Sequence, residues 1–136
     1  MLGSDHAPHS AEEKSRDFEK SLPGISSLDI ELPLWITIFS RTFGLDQGLP
    51  MIARKNRKIA EMFGLQGMGS LELGFPADIS LVDMSENPVD CSQWFSKAKL
   101  SPYDGMKVLG SVFATLVNGE IAFHSGKLGE RKGRVF

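Results

Sequence analysis

Residues 1–10 read MLGSDHAPHS. Asp5, His6, Pro8 and His9 fall within five residues of one another, behind small or apolar ones. Residues 1–4 are short and apolar enough to end a buried strand, and residues 5–24 then read as a long loop punctuated by Pro8, Pro23 and Gly24. Loops of that length inside compact domains are functional or disordered. Within it, AEEKSRDFEK (11–20) suits a helical turn or two, its charges forming a solvated face. By residue type alone, the Asp-His pair has two readings. A carboxylate at the end of a strand can act as a general base or metal ligand, and Asp and His in loops also simply cap turns. His6 and His9 are three apart, but Pro8 forbids the regular helix that would put both on one face.

Outward from this segment the pattern becomes helical. SSLDIELPLWITIFSRTFGL (26–45) places Leu28, Leu32, Trp35, Ile36, Phe39 and Phe43 at spacings of three and four. Serines stand at the expected N-cap, Asp29 and Glu31 follow in the first turns, and Gly44 is a natural stop. Pro33 should begin the regular helix or kink it. A second helix is expected over about 49–63, with Leu49, Ile52, Ala53, Ile59, Ala60 and Phe63 on one face. Arg54, Lys55, Arg57 and Lys58 fall mostly on the other, a solvated basic face.

After Gly64 the period becomes that of strands. Short strands are expected near Ser70–Leu73 and Ile79–Asp83, with residues 84–108 irregular. VFATLVNGEIAFHSG (112–126) is the clearest local signal, because Asn118-Gly119 supplies the positive φ that a type I′ hairpin needs at both turn positions. His124 is an ordinary strand residue, and the basic GERKGRVF (129–136) is expected to be surface-bound or frayed.

Composition narrows the function classes. The chain has 136 residues, enough for one ordinary domain and too few for two full ones. Fifteen Lys and Arg against seventeen Asp and Glu give a net charge of −2, no electrostatic footprint for nucleic acid or an anionic membrane. No apolar run approaches the roughly 18 residues of a membrane span, and no secretory signal pattern is visible. The single cysteine, Cys91, has no disulfide partner in the chain, so a cytoplasmic protein is expected.

The order of the motifs is more specific than any one of them. DHAPH, then EEK (12–14), PGI (23–25) and a helix containing ELPL (31–34) closely resembles the dihydroorotases of the amidohydrolase superfamily. Phe63-Gly64-Leu65, GFPADISLVDM (74–84), Trp94 with SPYDG (101–105), and GSVFATLVNGEIAFHSG (110–126) continue the resemblance through the family's small β-domain. The resemblance implies an α/β fold: residues 1–65 as the last strand, active-site loop and two helices of a TIM-like barrel, and residues 66–136 as the C-terminal part of a small β-sandwich domain.

It also implies reversible conversion of N-carbamoyl-aspartate to dihydroorotate in pyrimidine synthesis, with one or two zinc ions at the C-terminal face of the barrel. Asp5 would end the eighth strand, touch the metal and shuttle the proton. His9 would hold the substrate carboxylate, and Pro23 and Gly24 would contact substrate through backbone. His6 matches the motif without a ligand role.

The family's remaining metal ligands, a His-x-His, a bridging lysine and two further His, have no counterpart in this chain, which carries three His in all. Three protein ligands per catalytic zinc is the usual need. The expectation is therefore a C-terminal piece, incomplete and inactive alone, completed by a missing N-terminal barrel segment or by self-association. Two other readings stay open. One is an allantoinase or hydantoinase relative, against which His9 argues. The other is a non-catalytic interaction subunit, for example beside aspartate carbamoyltransferase.

Overall fold

A computed structural model describes residues 3–130. A single helical turn, α1 (Ala11–Lys14), precedes two long helices, α2 (Glu31–Phe43) and α3 (Leu45–Met62), and four strands, β1 (Ile79–Pro88), β2 (Lys107–Val117), β3 (Glu120–His124) and β4 (Lys127–Leu128). The strands form one antiparallel sheet in the order β1-β2-β3-β4.

The 26–45 pattern folds as its spacing requires, with a different start. Leu28–Ile30 makes a 3₁₀ turn that runs into α2, and no serine caps it through its side chain. Pro33 is the third residue of α2, where a backbone N–H has no intrahelical acceptor in any case, so it neither kinks nor breaks the helix. Trp35, Phe39 and Phe43 stack along one face, with ring centroids 6.0 and 5.8 Å apart. Gly44, at φ 78°, ends α2, and α3 begins at the next residue, four earlier than its apolar face suggests. Pro50 lies inside α3 and removes only the bond to Asp46. Gly48 lets the two helices close: a Cβ there would stand 2.8 Å from the Phe39 carbonyl carbon.

α2 is fastened to the sheet through a buried hydroxyl. Thr37 Oγ1 donates to the Pro33 carbonyl at 2.7 Å and accepts from the Leu109 N–H of β2 at 2.7 Å. Beside it Gly110, at φ 89°, makes room for Ile36 and Val82. The boundary expected at residue 65 falls in the turn after α3, and α2 packs on β2 across it.

The sheet corrects two expectations. Ser70–Leu73 is no strand: the Phe75 N–H closes a turn onto Glu72, and Leu71 and Leu73 are exposed. Its apolar alternation finds no neighbouring strand to pair with. Residues 84–108 are partly regular, because β1 runs on to Pro88 and β2 starts at Lys107. Register shifts at Leu81/Val82 and between Asp83 and Glu86 break the period of two that a sequence reading needs. The Asn118-Gly119 turn has φ 51° and 81°, as type I′ requires, and Ser125-Gly126 repeats it at 46° and 81° between β3 and β4. Of the strand expected at 1–4, the described residues Gly3 and Ser4 are not in strand form, and just beyond them a parallel bridge joins His6 to Ile25. A parallel strand needs partners along its length, and Gly3 and Ser4 have none in strand form; Met1 and Leu2 lie outside the described residues. Residues 131–136 of the basic tail lie outside them too.

Ile30, Val89, Cys91 and Val108 form a buried cluster wrapped by Leu34, Trp94 and Tyr103. The Asp104 carboxylate accepts from the Cys91 N–H at 2.9 Å. Burial first, then the Asp104 side chain, pushes the Cys91 thiol up from 9.0 to about 11. The unfolded chain therefore loses this proton near 9 while the folded chain keeps it, so unfolded molecules bind fewer protons across that window. Stability should be unaffected by this group below pH 9 and fall as pH rises towards 11. Urea midpoints measured across that range should slope more steeply for the native chain than for Cys91→Ala; parallel slopes would refute the assignment.

Candidate active site

The DHAPH segment is held against residues 23–28 by bonds on both sides of Asp5. Ser27 Oγ donates to the Ser4 carbonyl at 2.8 Å, and the Ala7 N–H donates to the Ile25 carbonyl at 3.0 Å. Between them, His6 Nδ1 accepts the backbone N–H groups of both Ser27 and Leu28, each at 3.0 Å. His6 is thus the acceptor at the entry to α2, in the place where a serine cap was expected. Its neutral ring carries the proton on Nε2, since Nδ1 is accepting. Asp5, bracketed by these bonds, is exposed and sits at φ 48°, a left-handed conformation that Asp tolerates better than most residues. His6→Ala should cost about 1–2 kcal/mol, the range of a lost helix cap, read as a shift in the urea midpoint; an unchanged midpoint would deny the cap.

His9, Pro23 and Gly24 meet at one point although fourteen residues separate the first two. His9 Nε2 lies 2.9 Å from the Pro23 carbonyl oxygen, and because a carbonyl only accepts, that nitrogen carries the proton. Gly24, at φ 124°, presses so closely on the motif that a Cβ would stand 2.6 Å from the Ala7 oxygen and 3.3 Å from His9 Nε2. Among the described residues no hydrogen bond or ion pair joins Asp5 to this cluster.

The charged stretch after the motif is less idle than a solvated face. Ser10 and Glu13 form a reciprocal cap on α1: the Ser10 N–H and hydroxyl both donate to Glu13 Oε2 at 2.9 Å, and the Glu13 N–H donates to Ser10 Oγ at 3.2 Å. The Ser10 backbone N–H, then its hydroxyl, hold the Glu13 carboxyl below its ordinary value, with the His9 and Arg16 charges adding to the effect. Glu13 Oε2 also lies 3.8 Å from His9 Nδ1. Lys14 Nζ donates to the Leu22 and Gly24 carbonyls, both at 2.9 Å.

An open cleft of about 740 Å³ lies alongside, lined by His6, Pro8 and His9 on one wall and by Ser96, Lys97 and Lys99 on the other. The second wall is built by tertiary bonds to the start of α2. Asp29 accepts the Phe95 N–H at 2.6 Å, Ser26 Oγ donates to Ser96 Oγ at 3.0 Å, and Ser101 Oγ donates to the Ser26 carbonyl at 2.7 Å. Lys99 Nζ is held by the Trp94 carbonyl. A separate groove of about 380 Å³ between the helices and β1 is lined by Ile36, Ile52 and Val82, and its one ionisable side chain, Asp78, accepts the Asn118 N–H at 2.7 Å. It offers no other ionisable side chain.

Zinc does not fit the residues described here. No three His, Cys, Asp or Glu side chains among them are grouped to hold a metal. His6 spends Nδ1 on two backbone N–H groups, and His9 spends Nε2 on Pro23.

No family model matches the chain. Individual proteins do. A dihydroorotase of Methanothermobacter thermautotrophicus is 31% identical over 139 residues, covering 98% of this chain. One of Acetivibrio thermocellus is 36% identical over 122 residues, covering 89%. The chain belongs to the dihydroorotase-like cyclic amidohydrolases. It spans about 30% of these relatives' length, 31% and 28% respectively. Among solved structures, an L-hydantoinase (dihydropyrimidinase) from Arthrobacter aurescens superimposes with a TM-score of 0.83 at 32% identity, over 95% of this chain and 30% of that one. A D-hydantoinase from Thermus sp. shares the fold at a TM-score of 0.80 and 22% identity, over 96% of this chain and 30% of that one. No helix among the described residues is long and apolar enough to cross a membrane.

The basic face of α3 is a paired surface. Arg57 and Lys58 meet Glu61 at 3.2 and 2.7 Å, Arg57 meets Glu72 at 3.7 Å, and Lys55 meets Glu31 of α2 at 3.8 Å. The sequence reading missed Lys14, Glu13 and Asp29 as builders of the cleft. Only the EEK triplet behind DHAPH signalled the first two.

Proposed function

We propose that this chain supplies one wall of the active site of a cyclic amidohydrolase that interconverts dihydroorotate and N-carbamoyl-aspartate. The meeting of His9, Pro23 and Gly24 beside the cleft carries the reading. In the hydrolytic direction the ring amide C–N bond breaks, water oxygen joins the carbonyl carbon, and the ring nitrogen gains a proton. Asp5 is the carrier: its carboxylate takes a proton from the attacking water and returns it to the leaving nitrogen. His9 is the carboxylate clamp. With Nε2–H committed to Pro23, the ring position it has left for the ligand is Nδ1, which lies 3.8 Å from Glu13. Gly24 contributes its backbone N–H. The metal ligands belong to a complementary barrel segment, which is the partner proposed here, and the chain alone is inactive.

The 32% identical L-hydantoinase supports a second reading, a hydantoin-type substrate in the same cleft. His9, as the carboxylate clamp, favours the substrate that carries a carboxylate. The test is complementation. This chain is co-expressed with the part of the Methanothermobacter thermautotrophicus dihydroorotase that its match leaves uncovered, and the purified pair is assayed with zinc on dihydroorotate and on an unsubstituted hydantoin. Turnover of dihydroorotate by the pair and by neither part alone is expected. Preference for the hydantoin would shift the assignment to the second reading, and turnover of dihydroorotate by the chain alone would overturn the partner requirement.

A further inference from the structure

Three consecutive carbonyls, those of Leu22, Pro23 and Gly24, are all held from one side by the 9–14 segment. Lys14 Nζ takes the outer two at 2.9 Å each, and His9 Nε2 takes the middle one at 2.9 Å. Beyond these, the turn is anchored at its end by the Ala7 N–H to Ile25 carbonyl bond and by the close approach of Gly24 to Ala7. Residues 22–24 lie in no helix or strand, and Pro23 has no N–H to offer a ladder. Gly24, at φ 124°, has the widest conformational freedom of any residue type.

The peptide geometry converts those contacts into an orientation. Every peptide bond here is trans, so the N–H of Gly24 points opposite to the Pro23 carbonyl with which it shares a plane. While Pro23 O faces His9, the Gly24 N–H faces away from the 9–14 segment. Releasing the flanking carbonyls would loosen both planes, since the His9 bond and the Ile25 anchor leave the φ and ψ of a glycine between them less restrained.

We propose that Lys14 is a positioning residue for substrate recognition: by bridging the Leu22 and Gly24 carbonyls it locks the turn in which the Gly24 N–H is presented to a carbonyl or carboxylate oxygen of the substrate and His9 is kept in register. The inference rests on the function proposed above. Lys14 touches no reacting atom; it acts through the turn. An ammonium suits the task because it has three donors and no acceptor, so it serves two carbonyls at once without competing for the Gly24 N–H.

The test uses the complemented pair. Lys14→Met should raise KM for dihydroorotate by about tenfold, with kcat falling no more than about threefold, the pattern of lost binding rather than lost chemistry. Lys14→Arg should recover most of that loss, because a guanidinium also carries donors enough for two carbonyls. Hydrogen exchange on the chain should accelerate at Gly24 and Ile25 in Lys14→Met and stay unchanged in α2, α3 and the sheet. A KM equal to the native pair's would overturn the inference while leaving the proposed function standing. So would an arginine variant no better than methionine, or a parallel fall of kcat and melting temperature. An inactive native pair would sink the proposed function, and this inference with it.

Discussion

Asp5→Asn in the complemented pair should lower dihydroorotate turnover by about 10²–10⁴-fold, the range that a positioned proton carrier contributes, with little change in stability. Asparagine keeps the shape and the hydrogen-bonding oxygen of the carboxylate but cannot take and return a proton near neutral pH. The substitution is also clean for a conformational reason. Asp5 is held at φ 48°, and asparagine enters the left-handed region as readily as aspartate. The pins on either side, Ser27 to Ser4 and Ala7 to Ile25, involve neither side-chain oxygen of Asp5. Asp5→Ala would remove the proton carrier and strain the backbone together, so its loss could not be divided between the two. Exposed side chains away from caps and networks contribute within about 0.5 kcal/mol, so the melting temperature should hold. Turnover within twofold of the native pair would remove Asp5 from the chemistry.

What the chain discloses before it is folded follows from how far apart the interacting atoms are in sequence. α2 was legible because its signal is carried by residues three and four apart, and the Trp35–Phe39–Phe43 stack is that spacing made visible. The Asn118-Gly119 turn was legible because two adjacent residues determine it. Ser70–Leu73 misled because alternation reports only that a strand would be amphipathic, and no strand lies there to pair with it. β1 was cut short because a register shift within Asp83–Glu86 shifts the alternation out of phase. At the candidate site, DHAPH and PGI were legible as local motifs. The contacts that make them a site were not: His6 to Ser27 spans 21 residues, Lys14 to Gly24 spans 10, and Asp29 to Phe95 spans 66. No period or propensity encodes bonds of that reach. For the same reason Asp29 reads as a helix-start acid in sequence and turns out to cap the far wall of the cleft.

Gly24→Ala should be the most damaging single methyl in the chain for the site. Two independent penalties fall on it. The first is conformational: at φ 124° any residue with a Cβ is strained, at a cost of order 1–3 kcal/mol. The second is steric: the new methyl would lie 2.6 Å from the Ala7 oxygen and 2.7 Å from the Ala7 Cβ, closer than Cβ atoms come to either kind of atom. Backbone and a Cβ cannot swing aside as a long side chain would, so relief requires the 22–25 turn to lift off the DHAPH segment. Lifting it breaks the Ala7–Ile25 bond, withdraws Pro23 from His9 and Gly24 from Lys14, and frees the backbone that keeps Asp5 in its left-handed conformation. The helices and sheet, joined through Thr37 and Leu109, are untouched by that movement. The expected result is therefore a stability loss of about 2–4 kcal/mol in a urea melt, at the upper end for one substitution, confined by hydrogen exchange to residues 4–28. In the complemented pair, turnover should fall to background, because proton carrier and carboxylate clamp lose their common support at once. Pro23→Ala supplies the contrast, since Pro23 is exposed and serves through its carbonyl; it should keep most of the activity. If Gly24→Ala melted with the native midpoint and retained turnover, the turn could not be the support that holds these groups together.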